Sequence, residues 1–482
     1  MLSKSLKRAV ALLVVAVASF SAYYGFWNTK IGAVTILFTS DGHGNVYPEK
    51  NYRQPGFPEM GGLTAVTAYA NKEKKPFLLL DGGDVFSGTP ESILTEGRIV
   101  ERLMKDAGYF AVAVGNHDFD FGPDKFINLV SSSGIKFISA NISSDMKNDQ
   151  SEKLKKSVVT NIDGTEIVIT AAMSEKVFNL VPEKSRKGFI LNSPEEAVTA
   201  EFNGRKALKI LLSHSSKKED FKYAENISGI DIILGGHDHI RDLNPELVGN
   251  TLIVHPGSGF MYVSRLKIYF RRSDSRLVSY RYKSIPLYLK KYRVSEEQRN
   301  IIKKELSYLN TDLEEEIGYS TSLLSRYEYS ASGELALGNF LTDVLRYYGE
   351  TDFAFNNTGG IRSTISEGAI KVRDIWMVSP YENKAVKMIM KGKDIRSLLE
   401  QSVSSSGSRL QVSGLQMVFN SSLPPGRRLL NVVIRGEDGR RAELDPEKEY
   451  TVSANSYIAE GGDGYSAFAA AADKTELPQT VV

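Results

Sequence analysis

The chain is 482 residues long, with a formal net charge of +2 and no cysteine. That length predicts two or more domains, and a hydrophobic content of 41% excludes wholesale disorder. The near-neutral charge does not indicate a generally basic nucleic-acid-binding surface, and the lack of cysteine excludes disulfides, thiolate metal ligands, a cysteine nucleophile and a lipidated N-terminal cysteine.

Lys4, Lys7 and Arg8 form a positive region ahead of Ala9–Trp27, a run of 19 residues without a charge. Ala16-Val17-Ala18 offers a small-residue cleavage pattern. The run is also about long enough to span a bilayer as a helix. Residues 1–30 are therefore read as a signal peptide or an N-terminal membrane anchor. On either reading the remaining chain is exported, to the periplasm or the cell surface. Removing those three of the 60 basic residues leaves 57 against 58 acidic ones, so the exported part is nearly neutral.

Next comes an apolar run, Val34 to Phe38, which reads as a buried strand. It leads into Thr39-Ser40-Asp41-Gly42-His43-Gly44-Asn45, where glycines let an Asp and a His point at one spot. A carboxylate and an imidazole together suit a divalent transition metal. Taken alone, this stretch reads better as an ordinary turn. The pattern then recurs four times. Phe77–Leu80 precedes Asp81-Gly82-Gly83-Asp84, and Tyr109–Val114 precedes Gly115-Asn116-His117-Asp118-Phe119-Asp120. Ala207–Leu212 precedes Ser213-His214-Ser215, and Ile230–Leu234 precedes Gly235-Gly236-His237-Asp238-His239. Five of the six histidines lie in these turns. In open α/β sheets ligands sit at the carboxyl ends of strands, so five strand ends can serve one place.

Between these turns, Leu63 to Tyr69 reads as an amphipathic stretch. Thr89-Pro90 starts a helix carrying Ile93, Val100, Leu103 and Met104 on one face, and Gly108 stops it. Further strands are expected at Ala140–Ile142, Glu166–Ile169, Thr251–Val254, Tyr262–Phe270 and Val278–Leu287, the last two as an antiparallel hairpin. Lys147 to Lys156 reads as a charged, solvated loop. His255, before Pro256-Gly257, reads as a structural histidine. Ser295 to Ile317 reads as a linker helix, with Ser295 and Gln298 as a capping box and Ile301, Ile302, Leu306, Leu309 and Leu313 at helical spacing.

Beyond it, a helix is expected from the Glu334-Leu335-Ala336-Leu337-Gly338-Asn339 stretch to Tyr348. The strand Asp352–Phe355 then leads into Asn356-Asn357-Thr358-Gly359-Gly360-Ile361-Arg362. Amides and a guanidinium there could hold an anion. Tyr381 and Tyr457 lie in Gly/Pro-rich turns and could sandwich a flat ring. Taken alone, each reads more readily as turn or packing.

The ordered set Ser-Asp-x-His-Gly, Asp-Gly-Gly-Asp, Gly-Asn-His-Asp, Ser-His and Gly-His-x-His resembles the dinuclear metallophosphoesterases. With the C-terminal turns, the chain resembles the bacterial 5′-nucleotidase and UDP-sugar hydrolase family over roughly residues 33 to 475. The resemblance implies an α/β chain: an N-terminal metallophosphoesterase α/β/β/α sandwich (31–291), a linker helix (292–326) and a smaller α+β C-terminal 5′-nucleotidase domain (327–476). It implies two divalent metal ions, with Zn, Mn or Co expected. Asp84 would bridge them, Asp41, His43 and His239 would complete one site, and Asn116, His214 and His237 the other. His117 would act on the phosphoryl group or leaving oxygen, oriented by Asp120. Asp81 and Asp118 would be structural turn residues. Asn357 and Arg362 would contact substrate, Tyr381 and Tyr457 would clamp the base, and Asp463 would contact the sugar.

Two departures stand out. The family usually has phenylalanine at the two ring positions. It also often carries an arginine where this chain has Ser330-Ala331-Ser332-Gly333, and the nearest here is Arg326. The function implied is removal of the 5′-phosphate from nucleotides. A 2′,3′-cyclic-nucleotide phosphodiesterase, a UDP-sugar or dinucleotide pyrophosphatase and a thiosulfohydrolase-like enzyme are the alternatives, along with a catalytically silent surface-binding protein of the same fold. A small-molecule nucleotide or nucleotide-sugar is the expected partner, with neither nucleic acid nor another protein indicated.

Overall fold

The computed structural model describes residues 30–144, 154–307, 312–330, 333–381, 383–404, 409–435 and 441–480. The expected signal peptide or anchor lies outside the described residues, apart from Lys30, as do most of the Lys147–Lys156 stretch and Leu309. Among the described residues no helix is long and apolar enough to cross a membrane. The chain divides into two compact units. Of the described residues, one takes in those of 30–51, 57–87 and 95–307, the other those of 52–56, 88–94 and 312–480.

The first unit is built on two six-stranded sheets. In one, Ile31–Thr39, Phe77–Asp81, Ala111–Ala113 and Lys136–Ile138 run parallel, and the antiparallel hairpin Tyr262–Arg271 and Leu277–Pro286 extends the edge beside Ile31–Thr39. In the other, Thr165–Met173, Leu208–His214, Ile232–Gly235 and Thr251–Val254 are parallel, with antiparallel strands Ser157–Ile162 and Glu246–Val248 at the edges. Side chains such as Ile36, Phe38, Leu80, Ile169, Leu212 and Leu234 form one apolar layer between the sheets. The opposite face of the first sheet (Leu37, Leu79, Val112) packs on Val66, Val100, Leu103 and Ile302. The opposite face of the second (Leu211, Ile233, Ile253) packs on Val198, Phe202 and Tyr223. Strands covered on both faces have no solvated side, so their sequences are unbroken apolar runs. The result is the α/β/β/α sandwich that the resemblance implied.

The register sets the strand ends level. Thr39 lies opposite Asp81, and Ser213 lies opposite Gly235. The turns that follow therefore emerge along common edges.

Three helices differ from the sequence reading. Leu63–Ala70 buries every residue except Ala68, so it is a core helix and not an amphipathic one. The helix from Pro90 breaks into Pro90–Leu94 and Arg98–Ala107, because Glu96 and Gly97 take left-handed backbone at φ 52° and 81°. The helix at Glu296–Leu306 is capped by Ser295 and Gln298 as expected, but it ends at Leu306. Ile317 lies instead in the strand Glu316–Ser320. Ile302 is fully buried in the first unit's core, so this helix docks there.

The second unit holds a five-stranded mixed sheet in the order Leu410–Ser413, Phe353–Asn357, Glu449–Asn455, Lys384–Lys391, Ala472–Thr480. Phe353–Asn357 and Glu449–Asn455 are its parallel pair. Leu345 of the helix Ala336–Gly349 packs with Ala354 and Ala385 of the sheet. Ile395, Leu398 and Leu399 of Gly392–Ser404 pack with Phe355, Met388 and Val452. Asn357 ends the first of the two parallel strands, and Tyr457 lies in the short helix Ser456–Ala459 that follows the second.

Because Ile302 fills a core position, Ile302→Ala should destabilise the first unit by about 2–5 kcal/mol. Urea unfolding reads this as a lowered midpoint, and an unchanged midpoint would contradict the docking.

Candidate metal centre

Seven side chains converge where parallel strands of both sheets end. Asp41 and His43 follow Ile31–Thr39, Asp84 follows Phe77–Asp81, and Asn116 follows Ala111–Ala113. His214 is the last residue of Leu208–His214, and His237 and His239 follow Ile232–Gly235. The turns are tight. Asp41, His43, Asp84, His237 and His239 all adopt left-handed backbone, with φ between 48° and 73°. Gly83 is also left-handed at φ 99°, and a Cβ there would come within 2.7 Å of the Gly115 nitrogen and 3.0 Å of His214 Nδ1. Only glycine admits this approach.

Two clusters result. Ligand atoms of Asp41, His43 and His239 lie within 4.8 Å of one another, as do those of Asp84, His214 and His237. Asn116 joins the second, its Oδ1 lying 3.3 Å from His214 Nε2 and 3.2 Å from His237 Nδ1. Asp84 faces both clusters. Its Oδ2 is 3.3 Å from His214 Nε2 and 3.9 Å from His43 Nε2. That is the position a bridging carboxylate requires.

The donor set fits divalent cations. His214 Nδ1 lies 2.8 Å from the Gly82 carbonyl, and His43 Nδ1 lies 3.2 Å from the Ser87 carbonyl. Each carbonyl accepts the Nδ1 proton, so Nε2 is the nitrogen turned toward the cluster. For His43 it faces His239 Nε2 at 2.9 Å. For His214 it faces the oxygens of Asn116 and Asp84. A cation among these atoms would take the place of any proton they share. Imidazole with carboxylate and amide oxygens suits zinc, manganese or cobalt.

The electrostatics agree. Burial alone would push Asp84 up, but His214, His117 and His43 outweigh it and hold the carboxyl well below its usual range. Burial would lower His214, but Asp84 outweighs it, and the imidazolium persists to a pKa of about 10. Burial and the His214 charge lower His237 to about 4, so this ring is neutral. Burial raises Asp41 to about 6, although its two oxygens accept the His237 N–H at 2.9 and 3.1 Å.

His117 is held beside the clusters. Its backbone N–H donates to Asp84 Oδ1 at 2.7 Å, and its Nδ1 pairs with Asp120 Oδ2 at 2.9 Å. Asp118 is fully buried and accepts the N–H groups of Asp84, Val85, Phe86 and Gly115. Asp81 accepts from the Thr39 hydroxyl and the Gly83 N–H. Both side chains tie the turns to their neighbours. His255 is structural too, and pairs with Asp220 and Asp242.

In the second unit, Asn357 donates to Asp463 Oδ2 at 2.7 Å, and the Tyr457 hydroxyl donates to Asp463 Oδ1 at 3.1 Å. Asp463 thus ties the two turns together. Burial, then the Asp463 charge, raises the Tyr457 phenol, and Tyr381 is near enough to add to the shift. The Arg362 guanidinium lies 6.0 Å from the centre of the Tyr381 ring. Arg326, the arginine nearest to the one the family often carries, joins this group. Its guanidinium donates to the Arg362 carbonyl, and burial and the Arg362 charge lower its pKa. Only the tertiary fold brings it there.

Residues 34–241 match the family model described as calcineurin-like phosphoesterase. Residues 316–470 match that of the 5′-nucleotidase C-terminal domain. The chain is 26% identical over 505 residues to a trifunctional nucleotide phosphoesterase protein of Bacillus subtilis, with 94% of this chain and 33% of that protein covered. It thus spans about a third of that relative's length. It is 27% identical over 500 residues to a snake venom 5′-nucleotidase of Naja atra, covering 90% of this chain and 91% of that one. The structure superimposes on a 5′-nucleotidase precursor of Thermus thermophilus with a TM-score of 0.83 at 26% identity, covering 93% of this chain and 94% of the other.

A metal ion entering the second cluster displaces the proton that His214 otherwise keeps at neutral pH. Mn²⁺ binding to metal-free protein at pH 7 should release at least one proton, and affinity should rise with pH by up to about ten-fold per unit. Calorimetry in buffers of different ionisation enthalpy counts the protons, and binding with no release would contradict the assignment of His214.

Proposed function

Because the chain belongs to the 5′-nucleotidase-like metallophosphoesterases, we propose that it is an exported phosphohydrolase that removes the 5′-phosphate from nucleotides. The observation that carries this reading is the convergence of Asp41, His43, Asp84, Asn116, His214, His237 and His239 in two adjoining clusters. Two divalent ions held there would neutralise phosphoryl oxygens and lower the pKa of a water near 7. Asp84 would serve both ions. The charge of the ions would take the place of the His214 proton.

His117 has the next role. With Nδ1 paired to Asp120, the ring has a set tautomer and orientation, and proton exchange with substrate falls to Nε2. A protonated His117 would stabilise the departing ester oxygen and supply its proton. Asn357, Arg362, Tyr381, Tyr457 and Asp463 are proposed to hold the nucleoside, with Arg326 placed to add positive charge. Export is supported by the charge pattern of the first 30 residues and by the venom origin of one relative. A signal peptide or N-terminal anchor and a periplasmic or cell-surface site belong to the same proposal.

Phosphate release tests the reaction. With Mn²⁺, AMP should be cleaved faster than UDP-glucose or 2′,3′-cyclic AMP. His117→Ala should lose about 10²–10⁴-fold in kcat while metal content stays at the wild-type level. Loss of metal with the rate would make His117 a ligand instead, and preference for the cyclic or pyrophosphate substrate would favour the corresponding alternative.

The ring clamp has its own test. Stacking contributes roughly 1–3 kcal/mol per base. Tyr381→Ala and Tyr457→Ala should each raise KM for AMP by about ten-fold. Hydrolysis of p-nitrophenyl phosphate, which carries no nucleoside, should stay near wild type. Unchanged KM for AMP in both variants would remove the clamp and point to a substrate without a base.

A further inference from the structure

The turn Gly236–His239 supplies one histidine to each cluster, and both histidines sit in left-handed backbone, His237 at φ 73° and His239 at φ 56°. Such a conformation persists only where the surroundings impose it. On the leading side the surroundings are plain: Gly236 N–H donates to the Ser213 carbonyl, and His237 N–H donates to Asp41. The trailing side is held differently. Asp242 N–H donates to the His255 carbonyl at 2.9 Å. Asp242 Oδ2 accepts the His255 N–H at 2.9 Å and also pairs with His255 Nδ1 at 2.9 Å. The other ring nitrogen of His255 meets Asp220 Oδ2 at 2.9 Å, on the helix Lys217–Asn226.

All three side chains are buried. Lys217 closes the chain of charges: its ammonium donates to Asp242 Oδ1 at 2.8 Å and pairs with Glu246, and its backbone N–H donates to Asp238 Oδ2 inside the turn at 2.7 Å. The alternation Asp220, His255, Asp242, Lys217 is balanced if each group is ionised. The same pair also bears on the leading side. A Cβ on Gly235, the last residue before the turn, would lie 2.3 Å from Asp220 Oδ2 and 2.5 Å from His255 Nε2. The Asp220–His255 contact therefore occupies the space directly over the entrance to the turn, while Asp242 holds its exit.

We propose that His255, clamped between Asp220 and Asp242, is a positioning residue that sets His237 and His239 for metal binding. This rests on the reading of the two clusters as metal sites. His255 belongs to neither ligand cluster. It acts by fixing both ends of a strained turn, so its loss is felt at both sites at once.

Mn²⁺ titration of the metal-free full-length protein tests this. His255→Leu should weaken binding at both sites by about ten-fold or more, the range seen when groups supporting metal ligands are removed. The visible absorption of the Co²⁺-loaded protein should change as well. Gly235→Ala keeps His255 but displaces the clamp, and should weaken binding in the same direction, so the inference does not depend on His255→Leu folding. Val198→Ala truncates a buried residue behind the same sheet, away from the clamp, and should leave affinity within about two-fold of wild type. Wild-type affinity in His255→Leu or Gly235→Ala overturns the inference, as does an equal loss in Val198→Ala, which would reduce His255 to general stability. Failure of the wild type to take up two Mn²⁺ would overturn the metal-site reading itself, and this inference with it.

Discussion

The buried Asp118 carboxylate makes the arrangement around Asp84 work. It gathers the N–H groups of Asp84, Val85 and Phe86 from one turn and Gly115 from the next. Four converging donors can hold a carboxylate in an apolar interior. Burial together with the Asp84 charge raises its pKa to about 7. By pinning two strand ends to one point, Asp118 sets the distance between Asp84 and Asn116. Asp84 can then face both clusters because its backbone is not free to turn away.

Charge sets the second constraint. Asp41 and Asp84 lie among His43, His117, His214, His237 and His239, mostly out of water. Without a cation, protons must balance the carboxylates, and His214 holds one strongly while His237 holds none. The uneven distribution follows from position. His214 is completely buried against Asp84, whereas His237 is kept neutral by burial first and then by the charge that His214 carries. Two divalent ions would relieve both conditions together.

Much of this was legible before the fold was known, because the same pattern was written five times. An apolar run ended in a Gly-rich turn with Asp, Asn or His, and the parallel strands delivered those turns to one edge. What failed was local. Glu96 takes left-handed backbone that no propensity favours, so the break between Leu94 and Arg98 was hidden. Leu309 and Leu313 continued the helical spacing past Leu306, so periodicity could not mark the true end. The buried edge of Leu63–Ala70 was hidden because threonines at 64 and 67 looked polar but bond to backbone carbonyls inside the core. The two carboxylates flanking His255 were invisible for a different reason. Their meaning lies in partners distant in the chain, and a single sequence does not display those pairs.

The left-handed backbone of Asp41, His43, Asp84, His237 and His239 also limits how robust such a protein can become. Each such residue costs roughly 1–2 kcal/mol relative to a relaxed backbone, less for Asp and His than for bulkier types. Five together cost at most about 5–10 kcal/mol, still a sizeable share of a whole domain's stability. The usual remedy for a strained position is glycine. Here every such replacement would erase a side chain that the site requires. Engineering for heat resistance would therefore have to work elsewhere, in the cores and caps, and leave these five turn positions alone.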